Sequence, residues 1–492
     1  MSEQDTRTTV GAVPEPSGQP TSAVPAVFTR AVWLFWLAAV ALLGWRQLFD
    51  AGTWELANVV AVDGLTVLLW VVVTFFSGIV HSYSRRYMAG DGRLTRFFTR
   101  IFAFTLVVMV LVAADHVALF AAAWLAMGLV MADLIGHVDG WPQAQAAASL
   151  ARRSFIASTA LVVVAVGLLA WSTGSTTVSG IGAAVDTATT PVVVAAAALI
   201  LAAMLQSALV PFHTWLLSSM TAPTPASALM HAGFVNAGGV LLTRFASVIT
   251  VDPAVLLAIT AVGAASALGG KLLKSVQTDV KSKLGCSTTG QMGFMIMQVG
   301  LGFFGAAITH LILHGFYKAY QFLSSGGRVE HTSPAEGDTP YTGPVGIAVT
   351  VLTGLVGGVL FAVLTGKGLR VDSGLLLTFF IVFTTLHAAR SAVTHTSLPT
   401  TVRYGAVPLV FFPAIIVYAG VYETVSAIMA VEPVTTELTL LHWAVAVFFT
   451  GVYLAIETGV HEHSQRLYVA LLNASQSPES TVLTATEDYN EY

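Results

Sequence analysis

Runs of about 20 apolar residues, bounded by charged residues, glycine or proline, recur along nearly the whole chain, and no other feature restricts its fold as strongly. A hydrocarbon core about 30 Å thick needs about that length of helix to cross it. Such runs lie near 31–48, 62–84, 101–136 (two short spans meeting at Asp115-His116), 153–172, 190–210, 224–249, 254–273 and 283–304. Others lie near 306–325, 343–366, 373–394, 403–429 and 438–460, roughly twelve to fourteen spans in all. Backbone amides in lipid must be satisfied within their own segment, and these runs lack the alternation of a barrel strand, so they are helices. The expectation is an all-α polytopic membrane protein, multi-pass in the cell membrane (the inner membrane in a Gram-negative organism).

Composition narrows the chemistry. Charged residues make up 10% of the chain, against roughly 25% in soluble domains. With 22 basic and 26 acidic residues the net charge is -4, which gives no footprint for nucleic acid. Cys286 is the single cysteine, so an internal disulfide and a zinc site built on two thiolates are both excluded. Phosphate-binding glycine loops, nucleophile elbows and His-Glu metal helices are missing as well, so a transport subunit without its own cofactor is expected rather than an enzyme. His461-Glu-His463 reads as a solvated group at the end of a span.

Residues 1–26 are rich in Pro, Ser, Thr and Gly and lack a basic segment leading into an apolar core, so a disordered tail is expected rather than a cleaved signal. An acidic tail is expected at 471–492, leaving 27–470 as the transmembrane domain. Pro211, Pro223 and Pro225 interrupt apolar sequence. Proline removes a helix donor, and irregular backbone survives at membrane depth only under cover of protein or water. These breaks therefore mark either a transport site or loops at the membrane edge.

His310, His314 and Lys318 follow one another at intervals of four, which places all three on one helix face over roughly 12 Å. A Lys at a helix centre costs about 2.5 to 3.5 kcal/mol to insert, so the set needs a wet cavity or partners. Desolvation brings the proton exchange of a Lys toward physiological pH, which makes the ladder a candidate proton file. The alternative is two histidines bonded to neighbouring carbonyls and a lysine reaching the interface. His231, Lys271 and Lys274 extend the file, or serve as a core histidine and two interfacial cations; Gln206, Asn236 and Gln291 are placed to order water between them. Asp133 and His137, one turn apart, form either a buried acid–base pair or the polar end of another helix.

The segment Pro211-Phe-His-Thr-Trp through Pro223-Thr-Pro-Ala-Ser-Ala-Leu-Met-His231 resembles the proline-broken segment of the antiporter-like membrane subunits of respiratory complex I and of multisubunit cation/proton antiporters. Gln277-Thr-Asp-Val-Lys-Ser-Lys-Leu-Gly-Cys through Gln291-Met-Gly, followed by the ladder, and Asp63-Gly-Leu65 through Arg86-Tyr-Met88 resemble the same family, over roughly residues 60 to 330. The resemblance implies an antiporter-like subunit fold and adds His213 to the proton-path candidates. The family's glutamate and lysine switch would fall at Leu125 and Gln206, so that switch is absent, and Arg153 or Asp133 would have to replace part of it. The missing pair and the chain length are most similar to the DabB family, membrane subunits of two-part inorganic carbon (CO2/bicarbonate) accumulation complexes. What this implies is a subunit that passes protons down their gradient to drive a partner, a DabA-like, zinc-containing subunit resembling carbonic anhydrase. The alternative is a proton-pumping subunit of a complex I-like or cation/proton antiporter assembly.

Overall fold

The computed structural model describes residues 22–325, 344–394, 400–457 and 464–478. Its helices are α1 (Val24–Leu48), α2 (Gly64–Tyr87), α3 (Leu94–Ala113), α4 (Val117–Ile135), α5 (Pro142–Thr173), α6 (Val178–Ala184), α7 (Thr190–Gln206), α8 (Thr214–Ser218) and α9 (Thr224–Ala232). Then come α10 (Ala237–Arg244), α11 (Ala246–Ile249), α12 (Pro253–Ser275), α13 (Val280–Gly300), α14 (Phe304–Leu323), α15 (Pro344–Thr365), α16 (Ser373–Thr394), α17 (Thr400–Met429), α18 (Leu440–Glu457) and α19 (Gln465–Ser475). Among the described residues, 10 helices are long and apolar enough to span a membrane, counting Thr224–Arg244 as one broken span. The apolar α7 and α18 are shorter, and α13 and α14, at 21 and 20 residues, carry Gln291 and the ladder of His310, His314 and Lys318. Those four bring the count into the expected range.

The helix starts follow from local chemistry. Asp63, Asp252 and Asp279 accept hydrogen bonds from first-turn amides of α2, α12 and α13, and proline stands in the first turn of α5, α7, α9 and α12, where no amide donor is needed. The run 101–136 does divide at Asp115-His116, because Asp115 leaves the helical path to accept from the Ser179 amide (2.8 Å) and hydroxyl (2.7 Å).

Two boundaries need correction. α1 begins at Val24, inside the expected tail, with Pro25 in its first turn. α19 occupies 465–475, so the C-terminal tail cannot begin at 471; Leu471 packs against Leu217, Leu273 and Cys286. The all-α polytopic class holds, and the chain adds one small element to it: Trp54–Leu56 (β1) and Val60–Val62 (β2) form an antiparallel hairpin turned by Ala57 and Asn58, both at positive φ.

The two ends of the bundle are distinguished by contacts. At one end the Tyr87 hydroxyl donates to Thr224 (3.0 Å), Arg93 and Arg96 pair with Asp139, and Arg100 and Arg152 pair with Asp133. At the other, Arg244 at the close of α10 pairs with Asp63 at the head of α2, and Val434 donates to the Gly302 carbonyl (3.0 Å). α12 and α13 lie backbone against backbone along Gly263, Gly270, Gly290, Gly293 and Gly300; a Cβ at Gly270 would strike the Gly290 backbone, and one at Gly293 the Ala267 backbone. Close approach through small residues is how membrane helices associate when lipid is as apolar as their side chains.

Candidate proton path

The ladder lies on α14 between α9 and α13. Lys318 is fully buried and its Nζ donates to the Leu284 carbonyl on α13 at 2.8 Å. His310 and His314 lie with ring centroids 5.7 Å apart and planes inclined by 20°. The expected alternative, histidines bonded to nearby carbonyls and a lysine at the interface, does not match this geometry. Nε2 of His310 and both ring nitrogens of His314 are buried with no hydrogen-bond partner among the described residues. Buried polar atoms in folded proteins are nearly always hydrogen-bonded, to ordered water where protein groups do not reach.

The break in the span Thr224–Arg244 brings His231 to this ladder. α9 ends at Gly233, a 3-10 turn over Phe234–Asn236 follows, and α10 resumes at Ala237. His231 is fully buried, stacks on Phe322 of α14 with centroids 4.3 Å apart, and places Nδ1 2.9 Å from Thr288 Oγ1 on α13. The Thr288 hydroxyl donates to the Leu284 carbonyl at 2.8 Å, the same oxygen that holds Lys318. His231, Thr288, Leu284 and Lys318 thus form one hydrogen-bonded group. Asn236 donates to the Ala232 carbonyl (2.8 Å) while its Oδ1 remains without a partner among the described residues.

Lys271, on the far side of the glycine-packed pair, has Nζ 2.8 Å from Nε2 of His387 on α16. Lys274 is exposed in the last turn of α12, as the interfacial reading has it. His213, after the cis peptide Val210-Pro211, is buried with Nε2 2.9 Å from the Ala474 carbonyl of α19, so it fastens the C-terminal helix to the broken segment. Gln291 is exposed and outside the buried group.

Asp133 and Arg153 do not join the ladder. Asp133 is half-exposed and pairs with Arg152 (2.7 Å) and Arg100 (3.8 Å), while Arg153 is exposed on α5. The pairing of Asp133 with His137 is likewise replaced: buried His137 meets Asp91 at 3.1 Å, because α4 ends at Ile135 and His137 lies beyond it, off the face that carries Asp133. At the positions of the family switch, Leu125 is half-buried, and Gln206 is fully buried with neither amide atom hydrogen-bonded among the described residues. His461-Glu-His463 lies outside the described residues.

Two participants escaped the sequence reading. His387 carried a signal, an ionisable residue one turn before Arg390 in the apolar run 373–394. Thr288 carried none, since threonines that bond back to the fourth preceding carbonyl are common in these helices, as at Thr29, Thr105 and Thr260.

Residues 114–338 match the family model described as "NADH:quinone oxidoreductase/Mrp antiporter, TM", and residues 48–98 match "NADH-Ubiquinone oxidoreductase (complex I), chain 5 N-terminus". A protein of Halothiobacillus neapolitanus described as "Probable inorganic carbon transporter subunit DabB2" is 34% identical over 346 residues, 69% of this chain and 62% of the relative. A second from that organism, DabB1, is 39% identical over 284 residues, 56% of this chain and 51% of the relative. The chain therefore spans between half and two thirds of the length of these curated relatives. Its fold is similar to a chain of an archaeal respiratory complex, the membrane-bound sulfane sulfur reductase, with a TM-score of 0.58 and 15% identity over 94% of this chain and 95% of that one. With one family model covering every segment that builds the buried His-Lys group and the other covering α2, which packs against α9 and α14, the chain belongs to the superfamily of antiporter-like membrane subunits shared by complex I and the Mrp antiporters.

Proposed function

We propose that this chain conducts protons down their gradient along His310, His314 and Lys318, with His231 beside them, to drive a partner subunit that hydrates CO2 to bicarbonate. The observation that carries the reading is the fully buried Lys318 at the end of a histidine file in which Nε2 of His310 and both ring nitrogens of His314 are buried with no hydrogen-bond partner among the described residues. Lys271 and His387 offer a branch toward the C-terminal helices. The partner would be the DabA-like zinc subunit. In this reading the zinc belongs to that partner.

Charge placement gives a direction. Arg85, Arg86, Arg93, Arg96, Arg152 and Arg153 stand at the end of the bundle where α2 closes and α5 opens, and the positive-inside rule puts that end in the cytoplasm. Protons would then enter α14 from the hairpin end and reach Lys318 in its cytoplasmic half. A unit charge crossing 100 mV releases about 2.3 kcal/mol, enough for more than a tenfold bicarbonate gradient at about 1.4 kcal/mol per decade.

A second reading, a subunit of a redox-driven pump or cation/proton antiporter, is favoured by the family models. Leu125 and Gln206 weigh against it, because a pump of that kind needs the ionisable pair those positions lack. The test is co-expression with the neighbouring large subunit in cells lacking carbonic anhydrase, following labelled inorganic carbon. Uptake should collapse with an uncoupler and in Lys318→Ala, with the complex still assembled. Uptake indifferent to both would overturn the reading.

A further inference from the structure

Thr288 sits where the two ionisable branches of the path meet. Its hydroxyl has one hydrogen, and that hydrogen goes to the Leu284 carbonyl, 2.8 Å away. The contact with His231 Nδ1, at 2.9 Å, must then be donated by the ring, so Nδ1 carries hydrogen and Nε2 is the open acceptor. His231 Nε2 is buried and has no hydrogen-bond partner among the described residues, as a group waiting for a proton would be. The carbonyl that orients Thr288 also holds Lys318 Nζ at 2.8 Å, so the ammonium lies within two hydrogen-bond lengths of the hydroxyl. Thr288 is itself fully buried, and its helix is fixed by the glycine contacts with α12, leaving the hydroxyl little freedom to choose another partner.

We infer that Thr288 is a positioning residue for proton transfer: it fixes His231 in the Nδ1–H tautomer, with Nε2 as the proton acceptor, and ties that choice to the carbonyl that anchors Lys318. The inference deepens the proposed function and rests on it for its consequence in transport, though the tautomer can be measured independently.

The experiment uses the full chain with its co-expressed large subunit, in lipid bilayers, with ¹⁵N-labelled histidine. His231 is identified by the signal lost in His231→Gln. Wild type and Thr288→Ser should show a protonated Nδ1 and a bare Nε2, whereas Thr288→Val should lose that preference, and its uncoupler-sensitive carbon uptake should fall about tenfold with Thr288→Ser restoring it. A wild-type His231 protonated at Nε2 would overturn the inference without any variant. So would Thr288→Val that keeps the wild-type tautomer, whether or not its uptake falls, since a fall alone would then reflect packing. If the tautomer responds as expected but wild-type uptake ignores both uncoupler and Lys318→Ala, the positioning role stands and the transport reading fails.

Discussion

Asp63 and Arg244 show how one ion pair sets the hairpin end of the bundle. The Asp63 carboxylate accepts the Thr66 amide at 2.7 Å and meets the Arg244 guanidinium, which also donates to the Val112 carbonyl at 2.7 Å, so α2, α3 and α10 are joined at one point. Burial alone pushes the Asp63 carboxyl up, but Arg244 together with the Thr66 hydrogen bonds outweighs it and holds the group below its usual range. A carboxyl lowered in the folded state stabilises fully above the unfolded value of about 3.9, and that contribution fades as pH falls through the folded value. Asp63→Asn should therefore lower thermal stability at pH 6 and differ progressively less from wild type as the pH is taken below 4, a comparison for unfolding in detergent. Arg244→Met should destabilise by about 1–3 kcal/mol, less than the about 3–5 kcal/mol of a fully buried pair because Asp63 is partly exposed. None of this is legible in the sequence, where Asp63 is only part of a motif and Arg244 lies inside the apolar run 224–249.

At the scale of elements, α13 is the wall against which the path is built. One side of it presents Leu284 and Thr288 to Lys318 and His231, and another carries Gly290, Gly293 and Gly300 against α12. Its polar face explains why it is less apolar than its neighbours: hydroxyls and glycines replace the leucines that a lipid-facing helix would use. Replacing Gly293 by Leu would force α12 away by the width of a side chain, a loss of about 1–3 kcal/mol from overpacking. Detergent-solubilised Gly293→Leu should unfold at lower temperature, and cells carrying it should lose the carbon uptake proposed above even though every ionisable group is intact. The ladder on α14 was readable because a four-residue interval maps directly onto one helix face. Its partners were not, since nothing in a sequence of helices states which face of α13 meets which turn of α9.

For the whole molecule, the topology predicts opposite sidedness for the loops before and after α2. Gly52 and Gly92 are both exposed with open space around them, and the single native cysteine, Cys286, is buried, so cysteine labelling has a quiet background. With the arginine-rich end in the cytoplasm, Gly52→Cys should react with an impermeant maleimide in intact cells and Gly92→Cys only after permeabilisation; the reverse pattern would invert the membrane orientation. The sequence by itself determined the solvent of this protein, its helical class and the presence of a titratable file, because hydropathy over 20 residues and a four-residue period are local properties of the chain. Tertiary structure alone decided the membership of the site. It moved Asp133 and Arg153 out to exposed positions, placed His387 against Lys271, and made an unremarkable threonine the link between His231 and Lys318. Such pairings depend on how helices distant in sequence are rotated and packed, and that rotation is fixed by glycine contacts and ion pairs at the ends of the bundle rather than by any periodicity within one helix.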